Sequence, residues 1–152
     1  MTSWRCVTSE VAFAAPVWPA ALWWASLTAL GGWVVPLLFI HLPSPSLAGA
    51  MAARLFSAQA WVSLLCGLLL LWFLTKNRAA ARVDKQFSAI KWVVVGMILA
   101  AVIEWAVAPR IVARDSLRLW HAIATLLFLM QWLCSAAALQ AVLRRALAPP
   151  QD

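Results

Sequence analysis

The amino-acid sequence predicts an all-α integral membrane protein, a bundle of four transmembrane helices whose two halves read as similar helical hairpins. Three observations predict it. Of 152 residues, 65% are hydrophobic and only 11% are charged, whereas soluble domains carry about 25% charged residues and need polar side chains to cover their surface. Eleven Trp and no Tyr suit indole anchors at the two faces of a bilayer. Four apolar stretches reach the roughly 20 residues that a hydrocarbon core of about 30 Å requires. A soluble globule, a disordered chain and a nucleic-acid binder are excluded, despite the net charge of +7.

The elements follow in order, with residues 20–145 as one membrane domain. A Pro-containing tail, residues 1–19, precedes helix 1 at about 20–42, which holds no charged side chain. Helix 2 spans about 51–74 and is interrupted near its start by Arg54. Helix 3 spans about 92–112 and carries one acid, Glu104. Helix 4 spans about 119–143, with His121 near its start, and a short tail covers 146–152. Each stretch must be helical, because backbone in lipid has to satisfy its own hydrogen bonds. Leu42-Pro43-Ser44-Pro45-Ser46 is a turn signal, Lys76 to Lys91 a basic loop, and Pro109 to Arg118 a tight charged link. A cleaved leader with Arg5 and an Ala48-Gly49-Ala50 cleavage site is the rival reading of helix 1. Its apolar run is too long for a leader core of roughly 7–15 residues.

Orientation follows from the basic residues flanking the spans. Arg5, Lys76, Arg78, Arg82, Lys85, Lys91, Arg144 and Arg145 fall on one side; Arg54, Arg110, Arg114 and Arg118 fall on the other. Both termini are therefore expected in the cytoplasm. The Lys76–Lys91 run serves topology first, and anionic lipid or partner binding second. Cys6, Cys66 and Cys134 are odd in number and form no CxxC, so they indicate no disulfide framework.

The halves share landmarks. Trp33-Val34-Val35-Pro36 closes helix 1 and Trp105-Ala106-Val107-Ala108-Pro109 closes helix 3. Arg54-Leu55-Phe56 opens helix 2 and Arg118-Leu119-Trp120 opens helix 4. Both hairpins start on the same side, so a repeat would be parallel, with its axis along the membrane normal. Thr28, Gly32 and Pro36, and likewise Gly96, Ala100, Glu104 and Ala108, stand four apart, the spacing of a close-packing face in lipid. Pro36 and Pro109 cannot donate to the carbonyls of Gly32 and Trp105, so each helix is expected to kink near its outer end.

That outer end gathers the polar chemistry: His41, Arg54, Gln59, Glu104, Arg110, Arg118 and His121. An acid within a span normally faces the bundle interior and finds a partner. Arg54, Arg118 and His121 are the candidates for Glu104, either as a structural ion pair that sets helix register or as part of a proton, anion or substrate site. His121 and Thr125 share a face, which would turn the imidazole inward. No metal site is assigned. His41 and His121 are the weak candidates, through bis-imidazole haem ligation or copper. Nucleophile elbows, phosphate loops and paired carboxylates do not occur, so soluble-type catalysis has no support.

Gly31-Gly32-Trp33-Val34-Val35-Pro36-Leu37-Leu38-Phe39-Ile40-His41-Leu42-Pro43, followed by Ala48-Gly49 and Arg54-Leu55-Phe56, resembles the first hairpin of the transmembrane protein 205-like family. Its bacterial members are filed as a domain of unknown function, DUF4149. The helix ending Pro109-Arg110 and the Trp120-His121 start of helix 4 are similar in order and spacing, which extends the resemblance over about residues 20–143. It implies a four-helix membrane protein of the bacterial inner membrane with no established activity, and it carries over Pro36, Phe39, Leu55, Phe56, Pro109, Arg110 and His121. Glu104 is not carried over, and the link between helices 3 and 4 is shorter than in the eukaryotic form.

Three function classes stand open. The first is a non-enzymatic membrane scaffold or accessory protein, alone in the bilayer, as a homo-oligomer or beside a partner membrane protein, with no cofactor. The second is a small transport or efflux component that uses the outer polar cluster. The third is a haem- or copper-binding redox protein.

Overall fold

The computed structural model describes residues 15–76, 83–113 and 116–147. Four helical rods, with no strand among these residues, account for the fold. The first rod, α1, runs Val17–Ala29, passes through a π-helical turn at Leu30–Val34 and ends as Val35–His41. The second, α2, is Pro45–Lys76. The third, α3, runs Val83–Val102, passes through a π-helical turn at Ile103–Val107 and ends as Ala108–Val112. The fourth, α4, is Leu117–Ala146. Val17–His41, Pro45–Lys76, Ala89–Val112 and Arg118–Ala146 are each long and apolar enough to cross a bilayer. The chain is a multi-pass integral membrane protein.

Two helices begin earlier than the sequence suggests. The expected turn through Ala50 shrinks to Leu42–Ser44, because Pro45 starts α2 rather than breaking it. Proline is preorganised for the first helical position, where its missing N–H costs nothing. The Ser44 hydroxyl accepts a hydrogen bond from the Leu47 amide at 3.3 Å, as an N-cap side chain does. At the other end of the bundle α3 already begins at Val83, inside the stretch read as a basic loop. Charge there marks where the chain leaves hydrocarbon, and a helix need not stop at that boundary. The expected tails and the rest of that loop, residues 1–14, 77–82 and 148–152, lie outside the described residues.

The rods close a ring in which each packs on its chain neighbours and α4 returns to α1. The start of α1 and the end of α4 lie at one end of the bundle (the terminal end), and the end of α1 and the start of α4 at the other (the turn end). Pro19, Ala20, Trp23, Leu27 and Leu30 are the buried face of α1. Trp23, fully buried, lies against Gly96 of α3. A Cβ added there would stand 2.7 Å from the indole and 3.3 Å from the Cys134 Cβ. Gly96 and Ala100 are thus a packing face, as expected. Thr28, Gly32 and Pro36 are not: all three are exposed, and Gly31 instead receives Phe128 of α4. The reason is register, since the buried face of α1 follows Trp23, Leu27 and Leu30, and Gly32 lies to one side of it.

Both prolines sit just past a widened turn. The Val35 amide donates to the Leu30 carbonyl and the Ala108 amide to that of Ile103, each five residues back. Pro36 and Pro109 have no N–H to offer. The carbonyls of Gly31 and Glu104 are therefore left without a helical donor, in addition to the loss expected at Gly32 and Trp105 in a plain α-helix. Single π-turns of this kind insert a residue without ending the helix.

The two halves of the chain correspond, but not in the register that Arg54 and Arg118 suggest. Phe56, Gln59 and Ser63 on α2 recur as Phe128, Gln131 and Ser135 on α4, at the same spacing and the same offset that separates Pro45 from Leu117. Phe56 and Phe128 meet edge to face, their centroids 5.4 Å apart. Residues that correspond in a two-fold repeat touch each other only near its axis, so the pseudo-axis runs through this pair, along the bundle. Arg54 matched Arg118 in the sequence because both precede Leu-aromatic. Arg118 directly follows the first residue of α4, whereas α2 begins well before Arg54.

Candidate functional site

Polar side chains inside the ring form one layer, halfway along the helices. Gln59, Ser63, Gln131 and Ser135 are all buried. The Ser63 hydroxyl donates to the Gln59 carbonyl at 2.9 Å, leaving its oxygen to accept. Nε2 of Gln131 donates to it at 2.9 Å, across the bundle, and Nε2 of Gln59 at 3.4 Å. Gln59 Nε2 also donates to Ser26 of α1 at 2.9 Å, and Ser26 in turn donates to the Trp23 carbonyl. On the α1–α4 side, the Trp132 indole donates to Thr28 at 2.8 Å, and Thr28 donates to the Trp24 carbonyl. Three helices are thus joined by donors and acceptors with few alternatives in hydrocarbon.

Beside this layer Phe56, Gln59, Ala60, Ala100, Ile103, Phe128 and Gln131 line a small recess. It has room for about one water, the smallest polar guest a cavity accepts.

The sequence placed Gln59 with the outer cluster; the structure places it in this central layer instead. Its depth follows from where α2 starts, and the early start at Pro45 moves every residue of that helix toward the middle. Gln131, Ser63, Ser26 and Ser135 were missed. The signal that finds Ser63, Gln131 and Ser135 is the repeated Phe-x-x-Gln-x-x-x-Ser pattern, which no hydropathy scan weighs; Ser26 falls outside it.

The remaining cluster residues are spread around the turn end. His41 is the exposed last residue of α1, and Arg54 is exposed on α2. The Arg110 guanidinium stacks over the Trp120 ring at 4.6 Å, tying α3 to α4 by a cation–π contact. Arg118 and His121 are exposed in the opening turns of α4, and the His121 carbonyl accepts from the Thr125 hydroxyl at 2.9 Å. The expected inward face of His121 and Thr125 is thus turned outward. Pro36 and Pro109 are exposed as well. Among the described residues, no three His, Cys, Asp or Glu side chains gather.

Glu104 is half-buried within the π-turn of α3 and makes no hydrogen bond or ion pair among the described residues. The expected pair with Arg54, Arg118 or His121 does not form, for reasons of depth and direction. Ile103, its neighbour, is level with Gln59 and Phe128. From those levels Arg54 lies about 8 Å, His121 about 10 Å and Arg118 about 15 Å toward the turn end, at ~1.5 Å per helical residue. Side chains lean toward the N-terminus of their own helix. On α2 and α4 that is the turn end, and on α3 it is the opposite end, so the acid and the bases lean apart.

Compared with known proteins, residues 18–119 match a family model described as a domain of unknown function (DUF4149). The match covers more than half of the chain, from α1 through the first turn of α4, and bears on the bacterial side of the resemblance alone. No curated protein and no solved structure matches.

Proposed function

This chain belongs to that family, the domain of unknown function DUF4149, and we propose that it serves as a non-enzymatic scaffold or accessory protein, binding membrane partners through its lipid-facing perimeter. One observation carries the reading: the polar groups at the centre of the bundle are satisfied by one another. Gln59, Ser63 and Gln131 bond to one another, Phe56 closes on Phe128, and the recess beside them holds about one water. The outer surface offers groups for recognition, with Trp33, Trp61 and Trp105 exposed. Indoles in that position are large, rigid contact groups of the kind that anchor interfaces.

The same reading places the protein in the bacterial inner membrane with both termini in the cytoplasm. The basic residues flanking the spans support it, eight on the terminal side against four on the turn side. At the terminal end Lys76 lies over Trp72 at 4.2 Å and Lys91 over Trp92 at 5.1 Å. Such pairs suit an interface where indoles meet anionic headgroups.

Purification from native membranes in mild detergent, at the natural expression level, tests the proposal. One partner in fixed stoichiometry, or a defined homo-oligomer, is expected. Recovery of the chain as a lone monomer would overturn the scaffold reading. Substrate-dependent flux in proteoliposomes would replace it with a transport role, and a Soret band in the purified protein with a haem-linked one.

A further inference from the structure

Glu104 is the only acidic residue within the four spans. It carries two acceptors and no donor among the described residues. One is its carboxylate; the other is its own backbone carbonyl, which the π-turn and Pro109 together deprive of a helical donor. Next to it, Trp105 meets Trp61 of α2 edge to face, with centroids 6.4 Å apart. The two rings are 60% and 58% exposed at the middle of the bundle, away from the interfaces where indoles normally settle. The protein elsewhere lays Lys76, Lys91 and Arg110 over Trp rings. Here Glu104 directly precedes one of the two rings in the chain, and no cation lies over either ring among the described residues.

Deepening the scaffold reading, on which this inference rests, we propose that Glu104 with the Trp61–Trp105 pair is the docking face for a partner transmembrane helix that presents one Lys or Arg near mid-bilayer. A cationic side chain is donor-only, so it supplies hydrogen to the acceptors at Glu104 and adds no competing acceptor. Its charge also favours the face of an indole. A second copy of this chain does not supply that group. In the spans, α1 has no basic residue before His41, α2 none between Arg54 and Lys76, α3 none between Lys91 and Arg110, and α4 none between His121 and Arg144. Packed symmetrically, a second copy would bring another carboxylate to the same depth, and like charges there repel.

The test uses the full chain in vesicles of phosphatidylcholine with a minority of phosphatidylglycerol, labelled as a fluorescence donor. The probes are two acceptor-labelled Leu/Ala transmembrane peptides of about 22 residues, identical except for one central Lys in place of Leu. The Lys peptide should associate at least about tenfold more tightly than the Leu peptide. Glu104→Gln should abolish that preference, Glu104→Asp should retain part of it, and Trp61→Ala with Trp105→Ala should weaken it. Unchanged detergent melting of Glu104→Gln would show that the loss is not unfolding. Equal association of both peptides would overturn the pairing while leaving helix docking in place. Association of neither peptide would overturn it whatever co-purifies from native membranes. A Glu104-dependent preference in a chain that purifies without partners would uphold the pairing and remove the scaffold reading.

Discussion

Phe56 of α2 and Phe128 of α4 hold the same position in the two halves of the chain, and their rings meet at 82° with centroids 5.4 Å apart. An edge-to-face pair on the pseudo-axis couples the hairpins directly. Either ring cut to Ala should cost about 3 kcal/mol, near the low end for a core aromatic because both are only partly buried. The double variant should cost less than the two losses added, by about 1 kcal/mol. Unfolding in mixed detergent micelles measures all three, and strict additivity would deny the contact.

Ser63 accepts from both Gln131 and Gln59, so it is the shared node of the central layer. Ser63→Ala should destabilise more than Gln59→Leu or Gln131→Leu alone. The absolute values should stay small, about 0.5–2 kcal/mol, as measured for interhelical hydrogen bonds within membranes. The ranking is the sensitive readout, obtained from the same unfolding series.

Two glycines should respond oppositely to Ala. At Gly96 the new methyl would press on Trp23 and Cys134, both buried between helices, and overpacking of this kind costs about 1–3 kcal/mol. At Gly32 nothing lies within 4 Å of the new methyl, and Ala is the better helix former by about 1 kcal/mol. Thermal melts that moved both variants in the same direction would contradict the packing of α1 on α3.

Pro109→Ala restores an amide to α3. With Ala108 already donating to Ile103, that amide should take the Glu104 carbonyl and extend the π-turn, leaving the protein inserted and within about 1 kcal/mol of its starting stability. Slow hydrogen exchange at position 109 is the expected sign. Rapid exchange there would show that the turn had closed to a plain α-helix with this amide unpaired.

Topology is testable without purification. Reporter fusions at Asp152 should be active only in the cytoplasm, and fusions within Ser44–Ser46 only on the far side, as the basic flanks direct. A fusion at Asp152 with external activity would reverse the orientation.

The sequence alone determined that the chain is a four-helix membrane bundle, that Pro36 and Pro109 disturb α1 and α3, and that Gly96 and Ala100 belong to a packing face. These properties are local: length, apolar content, a missing N–H and residue size act within one helix and need no neighbour. Only the tertiary structure decided how deep each residue lies, that Gln59 bonds with Ser63 and Gln131 in the middle of the bundle, that Phe56 corresponds to Phe128, and that Glu104 stands apart from Arg54, Arg118 and His121. Depth depends on where a helix starts, and the start of α2 turns on how Ser44 and Pro45 cap it. Pairing depends in addition on the direction in which antiparallel neighbours lean their side chains, and that direction exists only once the helices are side by side.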